Sequence, residues 1–307
     1  MAKKNYWFHL IAILTVIVWG TTYISTKVLI GHGLRPAEIF FFRFLMAYFC
    51  IWLFSSHRIW SACWKDELLF LATGLTGGSL YFLFENTALS ITLASNVALI
   101  LCTAPILTAF LYFLVHRGER LKPNLIYGSI IAFSGVALVI FNGGFILRIN
   151  PLGDMLTLLA ALMWAFYSLI IKNLNAKYPT LFVTRKVFFY GLLTILPVFL
   201  FEPLRFDQSV LFKWPVLLNL LFLGLIASML CYISWNEAAK HLGILRVTNY
   251  IYFSPMVTLV ASAMLIHERI TLVALVGSVF ILAGVYMAEK GADVKGMVGT
   301  LFHKSVK

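Results

Sequence analysis

The chain has few charged residues for its length. Asp, Glu, Lys and Arg make up 12% of its 307 residues, whereas hydrophobic residues make up 61%, and the mean hydropathy is +0.92. Soluble domains carry about 25% charged residues, so this composition excludes a water-soluble globule. It predicts an integral membrane protein, in which lipid surrounds most of the surface.

Cysteine and catalytic motifs are also lacking. The four cysteines are scattered, without a CxxC pair or the spacing of metal ligands, so they predict neither a disulfide framework nor a metal site. The sequence has no nucleophile elbow, HExxH pair, Walker loop or dinucleotide fingerprint. It therefore predicts no enzyme, no cofactor and no ATP-driven pump.

Long apolar runs fill most of the chain. A helix needs about 20 apolar residues to cross the hydrocarbon core of a membrane. We predict an all-α membrane protein with ten transmembrane helices, at residues 8–30, 37–55, 68–90, 94–115, 124–142, 152–171, 181–201, 215–238, 244–266 and 271–289. No small-x-small cleavage site follows the first run, so it is predicted to remain in the protein rather than act as a cleaved signal peptide.

The net charge of +12 follows the predicted topology. With a cytoplasmic amino terminus, Lys and Arg concentrate in the inside segments, and the outside loops hold only Arg35, Arg148, Arg205, Lys213 and Arg269. This bias is the positive-inside rule, and it predicts that both termini are cytoplasmic. A nucleic-acid-binding protein would instead cluster its basic residues on one soluble face, so no nucleic-acid partner is predicted.

The two halves of the chain carry the same landmarks at matching spacings. In each half a Glu-Arg pair is followed by two glycines seven residues apart. The matching pairs are Trp19 and Trp164, Lys27 and Lys172, Ala88 and Ala239, Pro105 and Pro255, Glu119 and Glu268, Gly128 and Gly277, and Gly135 and Gly284. We interpret them as a duplicated unit of roughly 150 residues, the internal symmetry typical of secondary transporters. The predicted units are residues 1–147 and 148–290, followed by a basic cytoplasmic tail at 291–307.

An odd number of helices in each unit determines how the two units are related. Five helices carry the first unit from the inside to the outside, so the second unit must begin outside and run in the opposite direction. The repeats are therefore predicted to be inverted, about an axis in the membrane plane. In such folds the substrate site lies near the bilayer midplane, where the halves meet and open alternately to the two sides.

The sequence resembles a known transporter family. The ten-helix duplication, the Trp19-Gly20 pair, the prolines of the fourth and ninth helices and the repeated Glu-Arg and glycine pattern are similar to the EamA-like branch of the drug/metabolite transporter superfamily. The resemblance covers residues 8–289. It implies an inner-membrane carrier of bacterial type, commonly an exporter of amino acids or related metabolites. These motifs are mostly packing and turn residues, so they specify the fold more than the substrate.

Aromatic and hydroxyl residues form a stripe on the first and sixth predicted helices. Trp19, Thr22 and Tyr23 are spaced i, i+3 and i+4, and Trp164 and Tyr167 stand at corresponding places on the sixth helix. Hydroxyl groups gain nothing by facing lipid, so the stripes are predicted to face the interior and bind substrate. The alternative is helix packing, with hydroxyl groups bonded to their own backbone.

Pro105 and Pro255 lie near the middle of the fourth and ninth helices. Each removes a backbone N–H and so frees the carbonyl four residues earlier, at Leu101 and Ile251. A free carbonyl should face protein or a wet cavity rather than lipid. The prolines are predicted to be gating kinks, the alternative being purely structural kinks. Nearby polar residues complete the predicted substrate site, namely Asn96, Asn249 and Tyr252.

Ionisable residues inside the apolar runs are functional candidates, since charges are costly in a bilayer. Arg43 and Glu85 lie at similar depths from the outside, and Arg185 and Glu237 lie near the inside. They are predicted to form ion pairs that hold helices together, although Glu237 could instead pair with Lys240. The alternative is that Glu85 carries a coupling proton, loading and releasing it as access alternates.

Three functional classes remain. The preferred prediction is a secondary carrier that exports a small amphipathic metabolite and has membrane lipid as its other partner. The alternatives are an integral-membrane enzyme that modifies lipid, and a channel or a non-transporting scaffold. A lipid enzyme would need a cluster of interfacial His, Asp or Glu, and the longest predicted loop, residues 202–214, offers only Glu202 and Asp207. The pattern therefore favours the carrier.

Overall fold

The computed structural model describes residues 2–55, 59–115, 123–141, 150–204, 207–257, 260 and 271–290, and within these residues the chain is helical without β-strands. The helices are α1 (Ala2–Gly31), α2 (Pro36–Phe54), α3 (Trp64–Ile91), α4 (Ala94–Leu101, then Ala104–Val115), α5 (Pro123–Phe141), α6 (Pro151–Lys177), α7 (Thr180–Phe201), α8 (Trp214–Leu242), α9 (Ile244–Asn249, then Tyr250–Phe253 and on to residue 257) and α10 (Leu272–Lys290). A short helix, Gln208–Leu211, precedes α8.

The helices fit a membrane. Seven of those described are long and apolar enough to span one, and α5 and α10 are shorter apolar helices. The prediction of an all-helical membrane protein is confirmed, with boundaries that shift by several residues, as where α6 runs on to Lys177 and α8 to Leu242. The Glu-Arg pairs at 119–120 and 268–269, the end of the ninth predicted span and the tail at 291–307 lie outside the described residues.

The glycines of the repeated pattern meet one another. A Cβ built on Gly128 would lie 2.6 Å from the carbonyl oxygen of Gly284, and one built on Gly135 would lie 2.5 Å from that of Gly277. Such close approach is possible only for residues without a side chain, and small residues commonly mediate helix packing in membranes. As the residue number rises along α5 it falls along α10, so these helices are antiparallel and touch backbone to backbone.

The third helix of each half contains a π-helical turn, at Leu75–Ser79 in α3 and at Phe222–Leu230 in α8. Each turn offers a carbonyl to an aromatic donor of the other half. The hydroxyl of Tyr232 donates to the carbonyl of Gly77 at 2.6 Å, and the indole N–H of Trp19 donates to that of Ala227 at 3.0 Å. π-Turns are rare and recur at functional sites, and here they connect the two halves.

Apolar side chains cover the outside of the bundle, with exposed tryptophans near its ends. Trp60 and Trp64 lie at the end that holds the amino terminus, called here the amino-terminal face, and Trp214 lies at the opposite face. Tryptophan is enriched where membranes meet water. The described helices therefore present a lipid-facing belt around a packed interior.

Candidate functional site

The two halves enclose a cavity at the centre of the bundle. Its volume is about 50 Å³, enough for about three to five water molecules at ~10–15 Å³ each. It is lined by Val16, Trp19, Thr22, Tyr23, Arg43, Tyr81, Phe82, Glu85, Leu101, Ala104, Trp164, Tyr232, Ile251 and Ser254. The wall is mostly apolar and aromatic, with a few polar groups, as in small-molecule binding sites.

Aromatic rings from both halves form the wall around Trp164. The ring of Trp19 is 5.2 Å from that of Trp164 and perpendicular to it, and Tyr81 also lies 5.2 Å away. Tyr232 lies 6.0 Å from both tryptophans. Perpendicular and tilted contacts at these distances are favourable, so the rings hold one another in place around the cavity.

Tyr81 and Tyr232 were missed in the sequence, although a signal was present. Each stands seven residues before one member of the matching pair Ala88 and Ala239, so the duplication relates them in the same way as the two tryptophans. Glu85 of the first half and Asn236 of the second are related in the same way, since each stands three residues before Ala88 or Ala239. The acidic residue of the cavity therefore has a neutral counterpart.

The two related tryptophans differ in their hydrogen bonding. Trp19 donates its indole N–H to Ala227, whereas the indole N–H of Trp164 has no hydrogen-bond partner. Trp164 is only 5% exposed and lines the cavity. A buried donor without an acceptor costs free energy that a bound acceptor would recover. Trp164 can therefore donate to an oxygen atom of a ligand.

Arg43 and Glu85 line the same cavity, as their matched depth predicted, but they do not form an ion pair with each other. The Nε of Arg43 donates to the hydroxyl of Ser228 at 2.9 Å, and its guanidinium lies 4.1 Å from the centre of the Phe82 ring. Glu85 accepts a hydrogen bond from Tyr81 at 3.0 Å. A cation and an anion thus remain separate within one aromatic pocket, where each can contact a ligand.

The rest of the first stripe also reaches the cavity. Thr22 and Tyr23 line it beside Trp19, and the hydroxyl of Thr22 donates to the carbonyl of Trp19 at 2.7 Å. This bond to the backbone of its own helix is what the helix-packing alternative predicts for the Thr22 hydroxyl. On α6, Tyr167 lies behind the wall instead, fully buried, with its hydroxyl donating to Asn236 at 2.8 Å.

Three other predicted substrate residues do not line the cavity, namely Asn96, Asn249 and Tyr252. Tyr252 lies within a 3₁₀ turn at Tyr250–Phe253, which begins directly after Asn249. A 3₁₀ turn has 3.0 residues per turn and an α-helix 3.6, so each residue rotates about 20° further around the axis. Ile251 and Ser254, three residues apart, face the cavity in their place.

The prolines stand where the fourth and ninth helices are irregular. α4 is interrupted just before Pro105, and the 3₁₀ turn of α9 comes just before Pro255. Both residues with freed carbonyls, Leu101 and Ile251, line the cavity. In the structure the carbonyl of Ile251 accepts the backbone N–H of Ser254 and a weak contact from the thiol of Cys102 at 3.9 Å. The freed backbone groups are thus sheltered from lipid.

Arg185 and Glu237, predicted as a second ion pair, do not pair with each other. Glu237 accepts a hydrogen bond from Thr180 and lies 3.4 Å from His241 one turn on, rather than pairing with Lys240. Arg185 is buried, with its guanidinium 5.4 Å from the centre of the Phe182 ring. Neither residue lines the central cavity.

A group of charged and polar residues joins the halves at the amino-terminal face, and we call it the entrance cluster. Its members are Asp66 and Glu67 on α3, and Lys177, Tyr178 and Lys186 on or beside α6 and α7. Lys177 pairs with Asp66 at 2.8 Å, and Lys186 pairs with Glu67. The Tyr178 hydroxyl donates to Asp66 at 2.7 Å, and burial raises the pKa of this hydroxyl, so it keeps its proton. Both carboxylates come from the first half and both lysines from the second.

Comparison with known proteins gives the family. The model of the EamA-like transporter family matches residues 6–141 and again residues 151–289, one match in each half. The two matches together cover most of the chain. No group of three or more metal-ligating side chains occurs among the described residues.

Several curated relatives align over nearly their whole length. The chain is 27% identical to a probable amino-acid metabolite efflux pump of Escherichia coli K12, covering 94% of this chain and 95% of that protein. It is 26% identical to an uncharacterized transporter of Archaeoglobus fulgidus, covering 91% and 96%. It is also 26% identical to a probable terminal-alkyne amino-acid exporter of Streptantibioticus cattleyicolor, covering 91% and 92%. A solved structure at 18% identity superposes with a TM-score of 0.71, covering 91% of this chain and 96% of that one, and shows the same fold.

Proposed function

The chain belongs to the EamA-like transporter family, a family of small-molecule transporters rather than enzymes, and from that premise we propose that it is a secondary transporter that exports amino acids or related amphipathic metabolites. Two inverted five-helix repeats, residues 1–147 and 148–290, open the central cavity alternately to the two sides of the cell membrane. Three relatives of this chain, two named as probable amino-acid metabolite efflux pumps and one as a probable terminal-alkyne amino-acid exporter, support this substrate class.

The observation that carries the proposal is that a basic side chain, an acidic side chain and aromatic rings all line one cavity. Arg43 supplies a cation for a carboxylate, and Glu85 supplies an anion for an ammonium group. The indole N–H of Trp164 offers a further donor, and the rings of Trp19 and Tyr232 offer a surface for an apolar or aromatic side chain. This combination matches the groups of a zwitterionic amino acid.

The size of the cavity favours an alternating mechanism. At about 50 Å³ it is far smaller than the roughly 300 Å³ of ordinary ligand pockets, so substrate can bind only after the halves move apart. The π-turns and the proline kinks lie in helices that line the cavity, where a change of backbone geometry would widen it. We expect the cavity to be contracted in a substrate-free conformation that lies between the conformations open to either side of the membrane.

We place both termini, and with them the amino-terminal face, in the cytoplasm. The excess of Lys and Arg in the segments at that face supports this orientation. Glu85 is proposed to carry the coupling proton, since it is a carboxylate buried in the cavity and an acid in such a place can exchange a proton as access alternates.

Counterflow in proteoliposomes tests the function. Vesicles loaded with an unlabelled amino acid should transiently accumulate the labelled one, across a panel with apolar and aromatic side chains. Arg43→Gln should abolish this accumulation, whereas Arg185→Gln, which changes a buried arginine away from the cavity, should preserve it. If the label enters at the same rate whether or not the vesicles are loaded, the protein is a channel and the proposal fails.

A further inference from the structure

The ammonium group of Lys186 lies in a cage of aromatic rings at the amino-terminal face. Its Nζ forms a buried ion pair with Oε1 of Glu67 and donates to the carbonyl of Ile59 at 3.1 Å. The centroids of four aromatic rings lie 4.9, 5.3, 5.7 and 5.7 Å from Nζ, those of Tyr190, Trp60, Phe70 and Phe189 respectively. Aromatic rings around an ammonium group are the arrangement by which proteins recognise cationic ligands.

A second cavity adjoins this cage. It is open to the surface, measures about 380 Å³, and is lined by residues 60–64 and Glu67. Glu67 is 4% exposed, and while its Oε1 binds Lys186, its Oε2 has no hydrogen-bond partner. A buried carboxylate oxygen without a donor is costly, and a ligand with N–H groups would satisfy it.

The cage is divided between the two halves of the chain. Trp60, Glu67 and Phe70 belong to the first half, whereas Lys186 and Tyr190 are on α7 in the second. If the halves separate at this face, Lys186 moves away with α7, and Glu67 remains in the same half as Trp60 and Phe70 without its counterion. A carboxylate beside aromatic rings is a favourable place for a cation, so another ammonium group can take the place of Lys186.

We infer that Trp60, Glu67 and Phe70 form an entrance site, separate from the central cavity, that binds the primary ammonium group of a substrate in exchange for Lys186. The inference rests on the proposed function, since the exchange needs halves that move apart. A ligand that binds better to the open form shifts the equilibrium toward it. Lys186 therefore keeps the entrance closed until a substrate ammonium takes its place.

Cys63 provides a reporter for this site. It lines the second cavity and is the exposed one of the four cysteines, since Cys50 is half-buried and Cys102 and Cys231 are buried. The rate at which a maleimide labels Cys63 in the purified full-length protein therefore measures whether the site is occupied. The probe is n-butylammonium, which matches the end of a lysine side chain, and n-butanol is its neutral control.

We expect n-butylammonium to slow the labelling of Cys63 in the wild type. In Lys186→Gln the same protection of Cys63 should need about ten-fold less n-butylammonium. The lysine that competes for Glu67 is gone, so the conformation that can bind the probe is more populated. Lys240→Gln is the matched control, since it removes an exposed lysine at the same face that is not part of the entrance cluster, and it should behave as wild type. Lys186→Arg keeps a cation in the cage and should need more probe than Lys186→Gln.

Glu67→Gln, alone or combined with Lys186→Gln, should remove the protection. Three outcomes would each overturn the inference. They are protection that persists without the Glu67 carboxylate, equal protection by n-butanol, and no protection in both wild type and Lys186→Gln. The labelling assay involves no transport. If the protein fails to carry any amino acid while the protection holds, the proposed function falls and the entrance site stands.

Discussion

The indole N–H groups of Trp19 and Trp164 have different partners although the duplication places the two residues at equivalent positions. Trp19 donates to a carbonyl of the π-turn in α8, 3.0 Å away, and Trp164 donates to no group in the protein. The asymmetry leaves one half of the cavity wall internally satisfied and the other half ready to bind an acceptor. We therefore expect Trp164 of the second half to add a hydrogen-bond donor to the contacts that Arg43 and Glu85 of the first half make with the substrate.

Trp164→Phe should weaken substrate binding while leaving the maximal transport rate unchanged. The aromatic wall is retained and a single hydrogen bond is lost, which is worth about 0.5–1.5 kcal/mol, or a roughly 2- to 12-fold rise in KM. Trp235→Phe is the control, because its indole N–H is also buried without a partner but does not line the cavity. Equal effects of the two changes on the KM for counterflow would contradict this role for Trp164.

Glu85→Gln should uncouple transport from the proton gradient. Glutamine keeps the shape and a hydrogen bond with Tyr81 but carries no exchangeable charge, so export against a concentration gradient should be lost. Counterflow should persist at a higher KM, because the partner of the substrate ammonium group is also neutralised. Glu237→Gln, at a half-exposed carboxylate near the amino-terminal face, should leave both activities intact. Accumulation by Glu85→Gln that equals the wild type and keeps its pH dependence would rule out the coupling role.

Gly284→Ala should destabilise the protein. The added methyl group would lie 2.4 Å from the backbone nitrogen of Ala132 and 2.6 Å from the carbonyl oxygen of Gly128, so α5 and α10 must move apart, at a cost of about 1–3 kcal/mol. Gly31→Ala is the matched control, because nothing lies within 4 Å of its added methyl group. Thermal unfolding in detergent should show a lower midpoint for the first variant alone, and equal midpoints would show that the backbone contact contributes little.

The orientation predicts opposite labelling of two thiols. Cys63 is at the amino-terminal face and should react with a membrane-impermeant maleimide from the cytoplasmic side. Ser90 is exposed at the opposite face, and Ser90→Cys combined with Cys63→Ser should react from outside the cell. Labelling of inside-out and right-side-out vesicles measures this, and reaction of both thiols from the same side would refute the topology.

Residues on regular helices were the most predictable from the sequence. Trp19, Thr22 and Tyr23 follow the spacing of an ordinary α-helix, and α1 is an uninterrupted helix where they occur, so the predicted stripe does face the cavity. Arg43 and Glu85 were also placed together by their depth. Their separation could not be foreseen, because Ser228 reaches Arg43 from a π-turn that no local sequence signal marks.

Irregular backbone limited the rest of the prediction. Asn249 and Tyr252 were predicted to bind substrate because they are polar residues close to Pro255, whereas the chain forms a 3₁₀ turn there and Ile251 and Ser254 line the cavity. Such turns depend on packing and on the proline that follows, so helical periodicity does not reveal them. The pairing of Lys186 with Glu67 joins residues far apart in the chain, and only the folded arrangement brings them together.

The contact between α5 and α10 also bears on how the protein arose. Each helix contributes the same pair of glycines, and each pair binds the other copy, so the surface is complementary to itself about a two-fold axis. A five-helix ancestor with this motif could already have assembled with an upside-down second molecule. Fusing the two genes would then have required a linker but no new binding surface.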